Sequence, residues 1–405
     1  MKILWLTRED PFLLDRGDLI YSAGLITALA ELGAAVTVLC FQRNDIDTST
    51  PPNVRRRYAQ MNSWHRIWSL FSKLPSDAYR HRSPSFQKLL QEELDKGDAD
   101  VVVVDYYAMG WVLDAIALKS ADGFKRRAPA VVYLSHHYEQ VVRSVVASGY
   151  RGDLPTRLVL SIDASKGMAL ERRLVKEAAL ITTITDSDRD CFLKDVPNTP
   201  VLALTPGYAG VPSQISDIRS DRQRNVLLVG AFDWIAKKQN LKEFVLAAND
   251  PFKKNGIKLV IVGRASPAYM DEIRSLSAIC EFVGPVADVQ PYLRDARIGL
   301  MPDTLGGGFK LKYLDYIFGG LPVATISSQL SGLPVDPDRD VIGAMDACQL
   351  AERIVSVIDE VDTLNGMAHR AFNKCRDAFE WSTRGKALFA AITQLTNEQV
   401  GMPGG

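Results

Sequence analysis

Three adjacent glycines, Gly306, Gly307 and Gly308, precede a run in which Leu311, Leu314, Ile317 and Phe318 recur at helical spacing. Glycines that open a helix leave backbone N–H groups bare and let a ligand come close, while the helix dipole favours negative charge. The segment reads as a phosphate site, or else as a glycine-rich turn with solvated lysines. Lys310 and Lys312 fall in the expected first turn, where a cation opposes the dipole and a bound dianion would offset the cost. Lys310 is taken as the cation that acts in catalysis, and Lys312 as a further candidate. A second chemistry is offered by His136-His137-Tyr138-Glu139, directly after the apolar run 130–134. An imidazole at a strand end can hydrogen-bond a substrate hydroxyl or act as a base. His136 is the functional choice, His137 the structural one, and Glu139 is a further candidate.

Such groups need strand ends to position them. Short apolar runs at 3–6, 36–40, 101–104, 130–134, 180–184 and 201–204 alternate with helix-length segments, and residues 18–32 read as an amphipathic helix ended by Gly33. The pattern restarts at 226–229 and continues at 259–262, 279–283, 298–301 and 322–326. Strands separated by helices imply parallel, doubly wound sheets with ligands beyond the strands' carboxyl ends. The fold class is therefore α/β, with two Rossmann-like domains facing a cleft. Expected boundaries are 1–205 for the first domain, 206–224 for a linker and 225–375 for the second domain, with a last helix, 376–398, returning to the first.

At 405 residues the chain is too long for one ordinary core and fits two domains of roughly 200 residues. Lys plus Arg equals Asp plus Glu at 48 each, so no whole-protein pull toward nucleic acid is indicated. Cys40, Cys191, Cys280, Cys348 and Cys375 form no Cys-x-x-Cys pair and read as reduced core thiols. The opening residues read as a strand and not a signal peptide, and no apolar stretch nears the ~18 residues of a membrane span. The expected location is the cytoplasm, with attachment to the inner face of a membrane left open. Residues 53–74 carry Val54, Tyr58, Met61, Trp64, Trp68 and Phe71 at helical spacing beside Arg55, Arg56, Arg57, Arg66 and Lys73. They suit a basic helix lying on an anionic membrane, or an amphipathic helix packed on the sheet.

The segment Gly307-Gly308-Phe309-Lys310-Leu311-Lys312-Tyr313-Leu314-Asp315, followed by Gly320-Leu321-Pro322-Val323, resembles the donor-site signature of glycosyltransferase family 4 and its GT-B relatives. In that family two acids stand eight residues apart. Asp315 fills the second position and inherits its role on the ribose hydroxyls; Gly307 stands where the first would touch the donor sugar. A bacterial capsule and exopolysaccharide branch has a similar glycine turn with a basic residue at the place of Lys310. Val229-Gly230-Ala231-Phe232-Asp233-Trp234 resembles that branch's turn after the first donor-domain strand, with Gly230 and Asp233 as candidates and Lys237 or Lys238 as the family's lysine. Val262-Gly263-Arg264 and Phe282-Val283-Gly284 match the next two strand ends. By this resemblance Arg264 is a fork for the diphosphate and Val283 meets the base. In the first half, Gly17 falls where relatives place a glycine loop reaching sugar or phosphate, Asp18 reads as a helix cap, and His136 matches a cleft histidine. The helix and strand from Glu171 to Ser187 resemble a packing unit.

The resemblance implies a retaining, hexosyltransferase-class glycosyltransferase. It would move sugar from a nucleotide-diphosphate sugar to a saccharide, lipid-linked or small-molecule acceptor in polysaccharide biosynthesis. Donor contacts are assigned to Gly17, Gly230, Arg264, Val283, Gly307, Gly308, Phe309, Lys310, Leu311 and Asp315. No Asp-x-Asp cluster sits at a strand end, so no metal or other obligatory cofactor is expected, and no nucleic-acid partner. A sugar-nucleotide epimerase or phosphorylase on the same scaffold, or a sugar-nucleotide-binding subunit without activity, are the alternatives.

Overall fold

The computed structural model describes residues 1–14, 16–42, 49–61, 66–121, 129–149, 153–208, 210, 216–233, 235–304 and 309–401. The chain divides into two units, Met1–Gly207 with Trp381–Gly405, and Tyr208–Glu380.

The first unit is built on seven strands, β1 (Lys2–Glu9), β2 (Ala35–Phe41), β3 (Val54–Ala59), β4 (Val101–Asp105), β5 (Ala130–Leu134), β6 (Leu180–Thr183) and β7 (Val201–Ala203). They pair in the order β3-β2-β1-β4-β5-β6-β7, every pair parallel. The second unit has β8 (Asn225–Val229), β9 (Lys258–Val262), β10 (Cys280–Gly284), β11 (Ile298–Met301), β12 (Val323–Ile326) and β13 (Ile342–Ala344), ordered β10-β9-β8-β11-β12-β13 and also parallel. Both sheets reverse strand order once, between β1 and β4 and between β8 and β11. A crevice opens at such a switch point, because the crossovers leave in opposite directions. The central strands are apolar on both faces, as in the fully buried Val101–Asp105 and Ala130–Leu134, because helices cover both sides. The expected α/β architecture with two doubly wound sheets is what the structure shows.

Two strands escape the sequence pattern. β13 is only three residues long and carries Gly343 at its centre. β3 lies inside the stretch read as a basic helix, and that reading is corrected: Val54–Ala59 is an edge strand pairing with β2. Its arginines are committed to protein. Arg56 reaches Asp10 at 2.7 Å, Arg55 reaches Glu93 at 2.8 Å, and Arg57 reaches Glu92 at 2.7 Å. Residues 62–65 of the stretch lie outside the described residues, and Arg66–Phe71 is a short 3-10 turn.

The helix Gly17–Glu31 is buried on nearly every side and has no polar face to show. Its second cover is the helix Trp381–Gly401 of the same unit: a Cβ on Gly24 would fall 2.4 Å from the Trp381 ring, and one on Gly385 2.5 Å from Ala28. Gly33 ends the first helix with φ +89°, as a left-handed cap requires. Of the polar stretch 206–224, residues 216–224 are held to the second unit. Ile218 is buried and its N–H donates to Asn365, while Arg297 donates to the carbonyls of Ser220 and Arg222. Cys40 and Cys375 are core residues, whereas Cys348 is exposed, a correction to its reading as a core thiol.

Candidate functional site

Each switch point holds a pocket. In the second unit it opens where β8 and β11 end, between Val229, Gly230 and Phe232 on one side and Pro302 and Asp303 on the other. Strand ends here are stitched by main chain: Gly230 N–H donates to Val262 O at 2.9 Å, Gly263 N–H to Gly284 O at 2.8 Å, and Phe232 N–H to Arg264 O at 2.7 Å. Gly263 is obligatory, since its φ is +137° and a Cβ would lie 1.6 Å from Gly230 O.

Two lysines line this pocket. Lys312 is the first residue of the helix Lys312–Phe318, and its Nζ donates to Val229 O at 2.8 Å. Burial, then the nearby charge of Lys237, push its ammonium down to about 8 against the pull of Asp303 and Asp315. Lys237 lies 3.9 Å from Asp303, whose other oxygen accepts from Asn240 at 3.0 Å. Asp303 is buried at 6% exposure, so one carboxylate faces two lysines and a favourable place for further negative charge remains. Asp303 and Asn240 were missed in the sequence. Asp303 stands two residues beyond an apolar run already identified as a strand, which was the available signal.

The remaining donor candidates divide. Gly307 and Gly308, with 305 and 306, lie outside the described residues. The helix starts at Lys312, so Lys310 precedes it instead of occupying its first turn, a correction to the expected cap; Lys310 Nζ donates to Gln329 and is not among the pocket's lining side chains. Burial lowers the Lys310 ammonium, with Asp303 opposing and Lys237 assisting. Leu311 takes the cap position, and Phe309 packs on Phe379 with ring centroids 5.4 Å apart. Asp315 has an exposed edge, yet dense protein around it lifts its carboxyl above the ordinary range against the pull of Lys312. Arg264 pairs with Asp233 at 2.9 Å, both largely exposed, and Val283 is half-buried at the end of β10. An exposed pair of this kind contributes only ~0–1 kcal/mol, so the guanidinium is held loosely.

In the first unit the pocket lies between the ends of β1 and β4, lined by Arg8, Arg16, Asp18, Asp105, Tyr106 and His136 among others. His136 is buried, and its Nε2 meets Asp105 Oδ1 at 2.7 Å; Trp5 Nε1–H donates to Asp105 Oδ2 at 2.8 Å. Burial alone would lift the Asp105 carboxyl, but the His136 hydrogen bond and charge, with Ser22 and Trp5, hold it below the usual range. An ionised carboxylate only accepts, so Nε2 carries a proton, and in the neutral ring Nδ1 is then the accepting nitrogen. Tyr106, at φ +79°, is a strained non-glycine whose ring packs edge-on to His136 and carries Arg8 at 3.7 Å over its face. Asp105 was missed in the sequence, although it ends the run 101–104.

Gly17 is the first residue of its helix, and Arg16 holds the cap position without a side-chain cap bond. Asp18 is not the cap: it sits inside the first turn, paired with Arg8 at 3.1 Å and Arg16 at 3.3 Å. His137 is half-buried, and desolvation, then the charge of His136, lower it to about 4. Glu139 lies outside this pocket's lining, paired with Arg143 at 2.8 Å, and burial raises its carboxyl against the pull of Arg143. Its N–H donates to Glu171 Oε1 at 3.1 Å, which Tyr133 OH also reaches at 3.1 Å.

Comparison with known proteins bears on both halves. Residues 20–207 match the model for glycosyltransferase family 4, and residues 223–360 that for glycosyl transferases group 1; together these take in most of the chain. Sucrose-phosphate synthase from Thermosynechococcus elongatus is similar in structure with a TM-score of 0.72 at 18% identity, over 98% of this chain and all of that one. WaaG, a glycosyltransferase involved in lipopolysaccharide biosynthesis, gives 0.65 at 19% identity over 97% of this chain and all of its own. Anabaena Alr3699/HepE, in complex with UDP and glucose, gives 0.64 at 14% over 97% of this chain and all of its own. At such identities these likenesses show the shared fold. One curated relative, an orotate phosphoribosyltransferase of Nocardioides sp. (strain ATCC BAA-499 / JS614), is 37% identical over 102 residues, 23% of this chain. The chain spans about half the length of that relative, 53%.

Proposed function

Because the chain belongs to the GT-B glycosyltransferases of the group 1 and family 4 kind, we propose that it moves a sugar from a nucleotide-diphosphate sugar to a saccharide or lipid-linked acceptor. The reading is of a retaining transfer without an obligatory metal, in which the second unit takes the donor. The observation that carries it is the pair Lys237 and Lys312 at the switch point of the second sheet, with the Lys312 ammonium desolvated against Val229 O.

A donor diphosphate entering this pocket would meet two ammonium groups shared by only one buried carboxylate. As the bond between the anomeric carbon and the diphosphate oxygen breaks, negative charge grows on the leaving group. Fixed cations in a site poor in water oppose that charge without reorganising, which lowers the barrier. The acceptor hydroxyl oxygen forms the new bond to the anomeric carbon, and its proton leaves to a base. We assign acceptor or sugar hydroxyl contacts to the first unit's pocket, where His136 Nδ1 is the accepting atom. Asp315, Arg264, Val283 and the glycine turn at 306–308 keep the donor roles that the resemblance implies.

The test is a panel of nucleotide-diphosphate sugars, each incubated with the full chain and a set of saccharide and lipid-linked acceptors. Transfer, or slow hydrolysis of one donor, is the expected outcome. Tight binding of a sugar nucleotide with neither reaction under any acceptor would favour a binding subunit. Interconversion of the donor sugar without transfer would favour an epimerase.

A further inference from the structure

The helix Leu154–Glu177 begins in solvent: from Asp153 through Val159 every residue is exposed. Leu154, Leu158 and Ile162 recur every fourth position and so form one stripe along it. The buried residues Ala164, Gly167 and Glu171 lie on the opposite side of the same helix, so the stripe has no core behind it. Leu154 is 76% exposed. The next position of the stripe is Lys166, whose Nζ donates to the carbonyls of Ser69 and Leu70, both at 2.9 Å. That bond joins the stripe to the 3-10 turn Arg66–Phe71, where Trp68 is 56% and Phe71 82% exposed. An apolar ridge thus runs from the helix tip to the turn.

Its chemistry selects an occupant. A protruding ridge of leucine, isoleucine, phenylalanine and tryptophan can sink into a soft surface, and tryptophan's amphipathic ring suits the boundary between headgroups and acyl chains. Exposed Lys73 and Arg157 flank it, and Lys166 lies within it. Of the two acids of this stretch, Asp163 accepts from Ser76 N–H and pairs with Arg143, while Asp153 caps the helix through Thr156 N–H and stays exposed. Lys73, Arg157 and Lys166 outnumber Asp153, so the net charge around the ridge is positive, complementary to an anionic lipid surface. We propose that this ridge of the first unit docks on an anionic lipid bilayer, lying in its interface without crossing it. Among the described residues no helix is long and apolar enough to cross a membrane.

The test is sedimentation of the full chain with vesicles of phosphatidylcholine alone and of phosphatidylcholine containing phosphatidylglycerol. The wild type is expected to sediment with the anionic vesicles and to be released by salt. Leu158→Glu with Ile162→Glu, and separately Trp68→Ala with Phe71→Ala, should each weaken vesicle binding by at least about tenfold. Circular dichroism and nucleoside-diphosphate binding should stay unchanged, since all four side chains reach solvent. A wild type that ignores anionic vesicles, or variants that bind them equally well, would overturn the proposal. So would variants that convert a concentration-dependent dimer to monomer with vesicle binding intact, because the ridge would then belong to a second copy. Vesicle binding needs no sugar chemistry, so its failure and that of glycosyl transfer are read separately.

Discussion

Asp105 accepts a hydrogen bond from His136 Nε2 at 2.7 Å, and the contact ties together the ends of two adjacent parallel strands. The carboxylate fixes which imidazole nitrogen holds the proton. In Asp105→Asn the amide would donate toward Nε2 and force the proton onto Nδ1, removing the accepting lone pair. Turnover is expected to fall by about 10²–10⁴-fold with little change in donor KM. Nitrogen chemical shifts of the ring should report the exchanged tautomer. Equal turnover with an exchanged tautomer would show that Nδ1 takes no part.

Lys312 supplies a pH signature. Its ammonium, pushed down to about 8, is charged below that value and neutral above it, and only the charged form attracts a diphosphate. Nucleoside-diphosphate affinity should therefore weaken as pH rises through 8, and binding at pH 8 should take up a proton. Calorimetry in two buffers of different ionisation enthalpy measures that uptake. Lys312→Met should lower affinity at pH 7 by about tenfold, the effect of one charge-assisted contact, and flatten the pH dependence.

Gly263 holds the strand ends in register. Gly263→Ala combines a forbidden φ with a clash against backbone and should cost about 2–4 kcal/mol. Gly256→Ala, at φ +62° with nothing within 4 Å of the added Cβ, should cost only about 1 kcal/mol. Denaturant midpoints of the two variants check the contrast.

Glu171 gives the first unit a stability slope. Burial, then the charge of Glu139, raise its carboxyl from 4.5 to about 7, outweighing the hydrogen bonds from Glu139 N–H, Gln140 and Tyr133. Between these values the folded chain holds a proton that the unfolded chain releases, so this group's contribution is full below pH 4.5 and is lost as pH rises to 7. Glu171→Gln should remove the slope and raise stability at pH 8 on the order of 2 kcal/mol, read from urea midpoints against pH.

Much of this arrangement was legible in the chain because buried parallel strands are apolar runs, and their carboxyl ends name the loops to inspect. His136 emerged that way, whereas Gly230, and the choice of Lys237 or Lys238, came from the family resemblance of the turn after 226–229. β3 was not legible, because an edge strand bearing Arg55, Arg56 and Arg57 has no apolar alternation and its partners, Asp10, Glu92 and Glu93, are distant in sequence. Asp105 and Asp303 look like ordinary loop acids until the fold sets one against His136 and the other between Lys237 and Asn240. The exposed start of the helix Leu154–Glu177 was likewise hidden, since exposed and buried leucines are identical in a sequence.

The central claim is that the second unit's pocket takes a nucleoside diphosphate on Lys237 and Lys312. Isothermal titration of the full chain with uridine, guanosine and thymidine diphosphates tests it most directly, run beside a Lys237→Met and Lys312→Met double variant. Saturable binding of at least one diphosphate, weakened about 10²-fold in the double variant, is predicted. Binding of none of the three, or an unchanged affinity once both lysines are gone, would contradict it.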